Sequence, residues 1–266
     1  MDWAYKALLT ATTVALLLSV SQLFGRRLAG LLAGLPTVTA PALVWLALEH
    51  GAQDAARAAI GSIAGCALCA LFALAYAHAA RLRGVTAALL AATVASLLPL
   101  PASEWLDGRL LLAAVIAVAV VLAAARAMPA RAPSAVAVVP ALPRGEPWLT
   151  AGIAGLVSGA VSLGAPQLGP FWAGVLASPP LIAAAVAMRQ HALGGGDAPL
   201  PFLHGYVTGL VGRIAFAAVF ALLMLSLPVP LAACLAFVFG CALTWLTERL
   251  RRLRVSVLRP LRSRQA

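Results

Sequence analysis

Arg213 is the residue in this chain most in need of a chemical reason. It stands about twelve residues into an apolar stretch near 202–225, where a guanidinium at mid-depth in a bilayer costs at least ~2.5 kcal/mol unless it is paired or faces water. Three partners would meet that cost: carbonyls at a helix C-terminus, a carboxylate elsewhere in the chain, or the carboxylate or phosphate of a bound substrate. The carboxylates Glu49, Asp54, Glu104, Asp107, Asp197 and Glu248 all fall near the ends of apolar stretches. A substrate anion is therefore one expectation, and a structural clasp on backbone carbonyls is the other.

The second set of candidates is built around prolines. Leu35-Pro36-Thr37-Val38-Thr39-Ala40-Pro41 and Ala177-Ser178-Pro179-Pro180 sit inside apolar stretches, and each proline removes an amide donor and clashes with a carbonyl one turn earlier. A helix broken at membrane depth exposes amides and carbonyls that are stable only inside protein or a wet cavity, and that can ligate an ion or solute. Pro36, Thr37, Thr39, Ser178, Pro179, Pro180 and Arg213 are accordingly the expected substrate-binding residues, against the plainer reading of two ordinary proline kinks. His50 beside Glu49, together with His191 and His204, are candidates for coupling transport to protons, since histidine near a carboxylate can relay them. Solvated helix ends account for the same residues. His78 and the Glu104, Trp105, Asp107 group read as interfacial, with Trp105 as a headgroup anchor.

Other chemistry is sparse. Cys66 and Cys69 have metal or redox spacing, but Cys234 and Cys241 also lie in apolar stretches and form no second loop pair, so no zinc site and no cofactor are expected. No catalytic constellation of the His-x-x-Glu-His, paired-aspartate or serine-lysine type occurs, and the chain is not read as an enzyme. The net charge of +11 does not point to nucleic acid, because seven of the 19 basic residues lie in the tail after Thr247. That tail, mixing arginines with Leu250, Leu253, Val255 and Leu258, suits anionic lipid at a membrane surface, or serves only to fix topology.

The elements that hold these residues follow from solvent. With 63% hydrophobic and 10% charged residues, the chain is read as an all-α polytopic membrane bundle, because lipid-facing backbone must be satisfied within its own segment. Nine spans are expected, near 4–24, 28–48, 57–80, 84–101, 109–128, 148–165, 171–190, 202–225 and 229–247. The first is read as a retained anchor rather than a cleaved leader. With the N-terminus outside and the C-terminus cytoplasmic, the cytoplasmic segments collect Arg26, Arg27, Arg81, Arg83, Arg126, Arg131, Arg144, Arg189 and the tail arginines. Only Lys6, Arg57 and Arg109 remain outside, the asymmetry of the positive-inside rule. The expected location is a bacterial-type inner (plasma) membrane.

Self-similarity organises the spans. At an offset of 144 residues Gly25 meets Gly169, Gly30 meets Gly174, Gly51 meets Gly195, Gly61 meets Gly205, Gly65 meets Gly209 and Pro36 meets Pro180. Five spans separate the copies, and five is odd, so the second copy would enter the membrane from the opposite side as an inverted-topology repeat. The expected divisions are a five-span repeat at 1–128, a Pro-rich cytoplasmic linker at 129–147, a four-span repeat at 148–247 and the arginine-rich tail at 248–266. Glycines along spans 3 and 8 make those two the expected central pair. The function this predicts is a secondary transporter of a small, anionic metabolite working by alternating access. The competing expectations are a non-catalytic membrane scaffold or assembly factor and, more remotely, a membrane enzyme.

Overall fold

The structure is a computed structural model that describes residues 25–37, 39–130, 168–178 and 180–262, together with Leu8, Thr12 and Leu16. Among the described residues every regular element is helical. The helices are α1 (Arg26–Gly34), α2 (Thr39–His50), α3 (Ala52–Ala80), α4 (Val85–Leu97), α5 (Leu110–Ala127), α6 (Pro170–Leu176), α7 (Leu181–Gly194), α8 (Leu200–Leu223) and α9 (Val229–Arg262). A 3-10 turn at Pro101–Leu106 follows α4. Taking α1 with α2 and α6 with α7 as single crossings, seven helices among the described residues are long and apolar enough to cross a membrane. The chain has the character of an integral membrane protein. The expected first span apart from Leu8, Thr12 and Leu16, the expected sixth span, and nearly all of the 129–147 linker lie outside the described residues.

Several expected boundaries move, for one physical reason: hydropathy marks the lipid-facing core of a helix, whereas the helix itself runs until a stop signal. The third span starts at Ala52, not near 57, and so carries Asp54 and Arg57 on its first turns. The second and seventh reach His50 and Gly194, where Gly51 and Gly195 take φ of 90° and 76° that other residues rarely adopt. The helix of the last span, α9, continues through Arg262, since Glu248 to Arg259 contains no glycine or proline to end it.

The most buried helices are α3 and α8, and they run antiparallel. Arg81, just past the end of α3, pairs with Asp197, just before α8, at 2.9 Å. A side chain at Gly196 would run into the Ala80 carbonyl. Around this pair, α1 lies along α8, and α6 along α3; α4 packs on α3, and α9 on α8; α2 meets α3 and α9, and α7 meets α8 and α4. Every one of these contacts has its partner under the same 144-residue shift, and α5, which touches both α3 and α8, is the helix without one.

Backbone-to-backbone approach makes the packing possible. A Cβ at Gly30 would collide with the Phe202 carbonyl, and one at Gly174 with the Ala58 carbonyl. Gly205 backs onto Arg27 and Leu31, and Gly61 onto Phe171 and Val175. These neighbours are themselves 144 residues apart. Close approach through small residues replaces the hydrophobic drive that lipid does not provide between helices.

The outer helices turn large apolar side chains outward, with Leu98 and Leu111 each 80% exposed, which fits contact with acyl chains. Charges gather at the ends. Arg27 to Glu248 (2.6 Å), Arg81 to Asp197, Arg26 to the Ala198 carbonyl (2.9 Å) and His78 to the Ala127 carbonyl (3.0 Å) lie at one end, and Arg57 with Asp107 at the other. Trp105, 78% exposed, stands beside the latter pair.

Candidate functional site at two helix breaks

Both proline segments interrupt their helices. At the first, Leu35 N–H donates back to the Leu31 and Leu32 carbonyls at 3.2 and 3.3 Å, and Pro36 has no N–H to give. In a continuing helix Thr37 N–H would reach the Ala33 carbonyl. It turns instead to Leu35 O at 2.8 Å, which leaves Ala33 O without its helical donor at the negative end of α1. α2 restarts at Thr39, with Ala40 N–H bonded to Pro36 O at 2.9 Å.

Arg213 takes up that carbonyl: its Nη2 donates to Ala33 O at 3.3 Å. The residue lies mid-helix in α8 and is 6% exposed, so its charge is buried within the protein. The Cys66, Cys69 and Tyr206 side chains are close enough to sense the charge. No carboxylate of the described residues reaches it, and its Nε is buried without a hydrogen-bond partner. Thr39, on the first turn of α2 and 2% exposed, likewise has a buried Oγ1 with no partner. A neutral hydroxyl left in this condition costs about 1–3 kcal/mol, and a charged group more.

The second break is organised differently. After α6, Ser178 N–H bonds Val175 O at 3.1 Å, and Ala184 N–H bonds Pro180 O at 2.6 Å as α7 begins. Ser178 Oγ lies 3.1 Å from both Gly174 O and Ser62 Oγ on α3. Cys69 Sγ donates to Ser178 O at 2.9 Å, and Cys66 Sγ to Ser62 O at 3.3 Å. Cys69 is the residue 144 positions before Arg213, and each reaches the loose end of the short helix lying beside it.

Arg213, Thr39 and Pro36 therefore belong to one break, Ser178 and Pro180 to the other, and Cys69, which bonds the Ser178 carbonyl, lies within electrostatic reach of Arg213. Thr37 is half-buried in the first turn; Pro179 lies outside the described residues. The proton-relay candidates are not brought together. Glu49 and His50 are exposed at the end of α2, whereas His191 and His204 sit on α7 and α8 towards the opposite end. His191 is buried with its Nδ1 3.3 Å from Tyr76 Oη and its ring edge-on to that tyrosine. His204 Nδ1 lies 2.9 Å from Leu200 O, which fixes that nitrogen as the protonated one. Ser62, Cys69 and Tyr76 are structural neighbours of the candidate residues that span-by-span reading passes over. Following the repeat one step further would have found the first two, since they align with Tyr206 and Arg213.

Comparison with known proteins is brief. The family described as "Protein of unknown function (DUF3147)" matches residues 5–103, which runs through α4 into the 3-10 turn and stops before α5. No curated protein and no solved structure matches the chain.

Proposed function

We propose that the chain is a secondary transporter of a small, anionic metabolite, working by alternating access between two inverted copies of one four-span unit. The observation that carries this reading is the residue-for-residue recurrence of the break packing. α1 lies on α8 as α6 lies on α3, through neighbours offset by the same 144 positions, while α3 and α8 run antiparallel. Two copies related in that way exchange conformations by symmetry, so a state open to one side implies a mirror state open to the other.

In this reading the repeat has four spans rather than five, with α5 as the connector that inverts the second copy. The stretch of the second half that corresponds to α5 is the arginine-rich end of α9, too charged to cross. The family match, which ends at 103, supports the same unit. Adding the spans expected at 4–24 and 148–165 gives nine. The end bearing Arg26, Arg27, Arg81 and the tail arginines then faces the cytoplasm of a bacterial-type plasma membrane, and the tail helix meets anionic lipid there. The substrate would lie between the breaks, with Arg213 as its counter-charge. Purified protein in proteoliposomes, screened for uptake of small anionic, cationic and neutral solutes under pH and sodium gradients, tests the proposal. Saturable uptake of an anion supports it; no uptake of any solute counts against it.

A further inference from the structure

The two breaks are equivalent by position and different by chemistry. At the second, polar groups are matched among themselves: Ser178 with Ser62 and Gly174, Cys69 with the Ser178 carbonyl, and Cys66 with the Ser62 carbonyl. At the first, Gly34 stands where the second has Ser178, Arg213 replaces Cys69, and Thr39 replaces Ala183. That substitution pattern leaves two orphans, Arg213 Nε and Thr39 Oγ1, each on a side chain more than nine-tenths buried. Arg213 is aimed at the break, since its Nη2 holds the Ala33 carbonyl at the end of α1. Thr39 opens α2, whose positive helix end faces the same interruption.

We infer that the duplicated breaks have divided their roles: the first, held by Arg213 and Thr39, binds a small, singly charged anion, and the second is a closed clasp. The inference rests on the transporter reading and narrows its site and substrate. One guanidinium with no carboxylate beside it is neutralised by one negative charge. A dianion would leave the same mid-depth position charged again, with the opposite sign. Donors orphaned on Arg213 and Thr39 are the complement of acceptor oxygens. The unpartnered Nε suits an acceptor oxygen of a carboxylate or a small inorganic monoanion, whereas a phosphate monoester, close to doubly charged at neutral pH, would leave net negative charge at that depth. The clasp at the second break has no orphan donor to offer, and any ligand there would have to displace hydrogen bonds already made.

The test uses the full-length protein in detergent, with formate, acetate and chloride as probes against gluconate at equal ionic strength, followed by thermal shift and by titration for Kd. At least one small monoanion is expected to stabilise the wild type, while sulfate is not. Arg213→Gln should weaken that probe about tenfold or more, and Thr39→Val by roughly two- to tenfold, as loss of a charged and a neutral hydrogen bond implies. Ser62→Ala, which cuts the clasp, should change Kd by less than about twofold. Arg213→Lys serves if the glutamine variant does not fold: it keeps the charge but not the fork, and should bind more weakly than wild type. Equal weakening by Ser62→Ala would overturn the division of roles. Failure of every monoanion to bind would overturn the substrate class, yet uptake of a neutral or cationic solute in the vesicle screen would keep transport by alternating access and remove only its anionic substrate.

Discussion

Arg213 was visible in the sequence because lipid makes a lone charge conspicuous, and Thr39 because it lies between Pro36 and Pro41. Ser62 and Cys69 were not, since a serine and a cysteine in an alanine-rich helix look like any small packing residues until the helix beside them is known. The glycines are legible in kind but not in partner. Gly30, Gly61, Gly174 and Gly205 each press on a carbonyl across an interface, so alanine at any of them should destabilise by about 1–3 kcal/mol, the usual cost of overpacking. The losses within each symmetric pair should match. Gly84, whose added methyl meets nothing within 4 Å, should accept alanine with no loss. Thermal or chemical unfolding in detergent, read variant by variant, checks the pattern, and a costly Gly84→Ala or harmless Gly30→Ala would contradict it.

Helix breaks were predictable where spans were not fully bounded. Proline at 36 has a local, unavoidable consequence, the missing N–H. The point at which α3 begins depends on features hydropathy does not register, the turn at Gly51 and the ion pair of Arg57, on the first turns of α3, with Asp107. The role of the break itself can be isolated. Pro36→Ala restores a donor and lets α1 run towards α2, but the hydrogen bond gained, worth about 0.5–1.5 kcal/mol, is outweighed by buried Arg213 losing its acceptor, so stability should fall. The substitution should also lower uptake, because a continuous helix reclaims the Ala33 carbonyl that Arg213 now holds. Unfolding and vesicle uptake measured on the same preparation give both signs. Stability and uptake rising together would separate the break from function.

For the molecule as a whole, the antiparallel relation of α3 and α8 was inferred from parity alone, counting an odd number of crossings between matching segments. Parity is robust because one miscounted span would scatter the basic residues over both faces. In the proposed reading α5 is the connector between the two units, a role its sequence does not announce, because it is at least as apolar as the helices beside it. The orientation makes a direct prediction. With Leu82 and Trp105, both largely exposed, replaced in turn by cysteine, a membrane-impermeant maleimide added to intact cells should modify Trp105→Cys and spare Leu82→Cys. Labelling of Leu82→Cys alone would invert the topology, and equal labelling of both would deny that α4 crosses.

Solute counterflow bears most directly on two inverted units exchanging access to one central charge. Proteoliposomes preloaded with an unlabelled small monoanion are diluted into trace radiolabelled anion, and internal label is followed over time. A carrier that must reorient with its substrate gives a transient overshoot above the equilibrium level, and Arg213→Gln, reconstituted at the same density, should abolish it. Label that rises only to equilibrium, for every anion that enters, or an overshoot untouched by Arg213→Gln, would contradict the account.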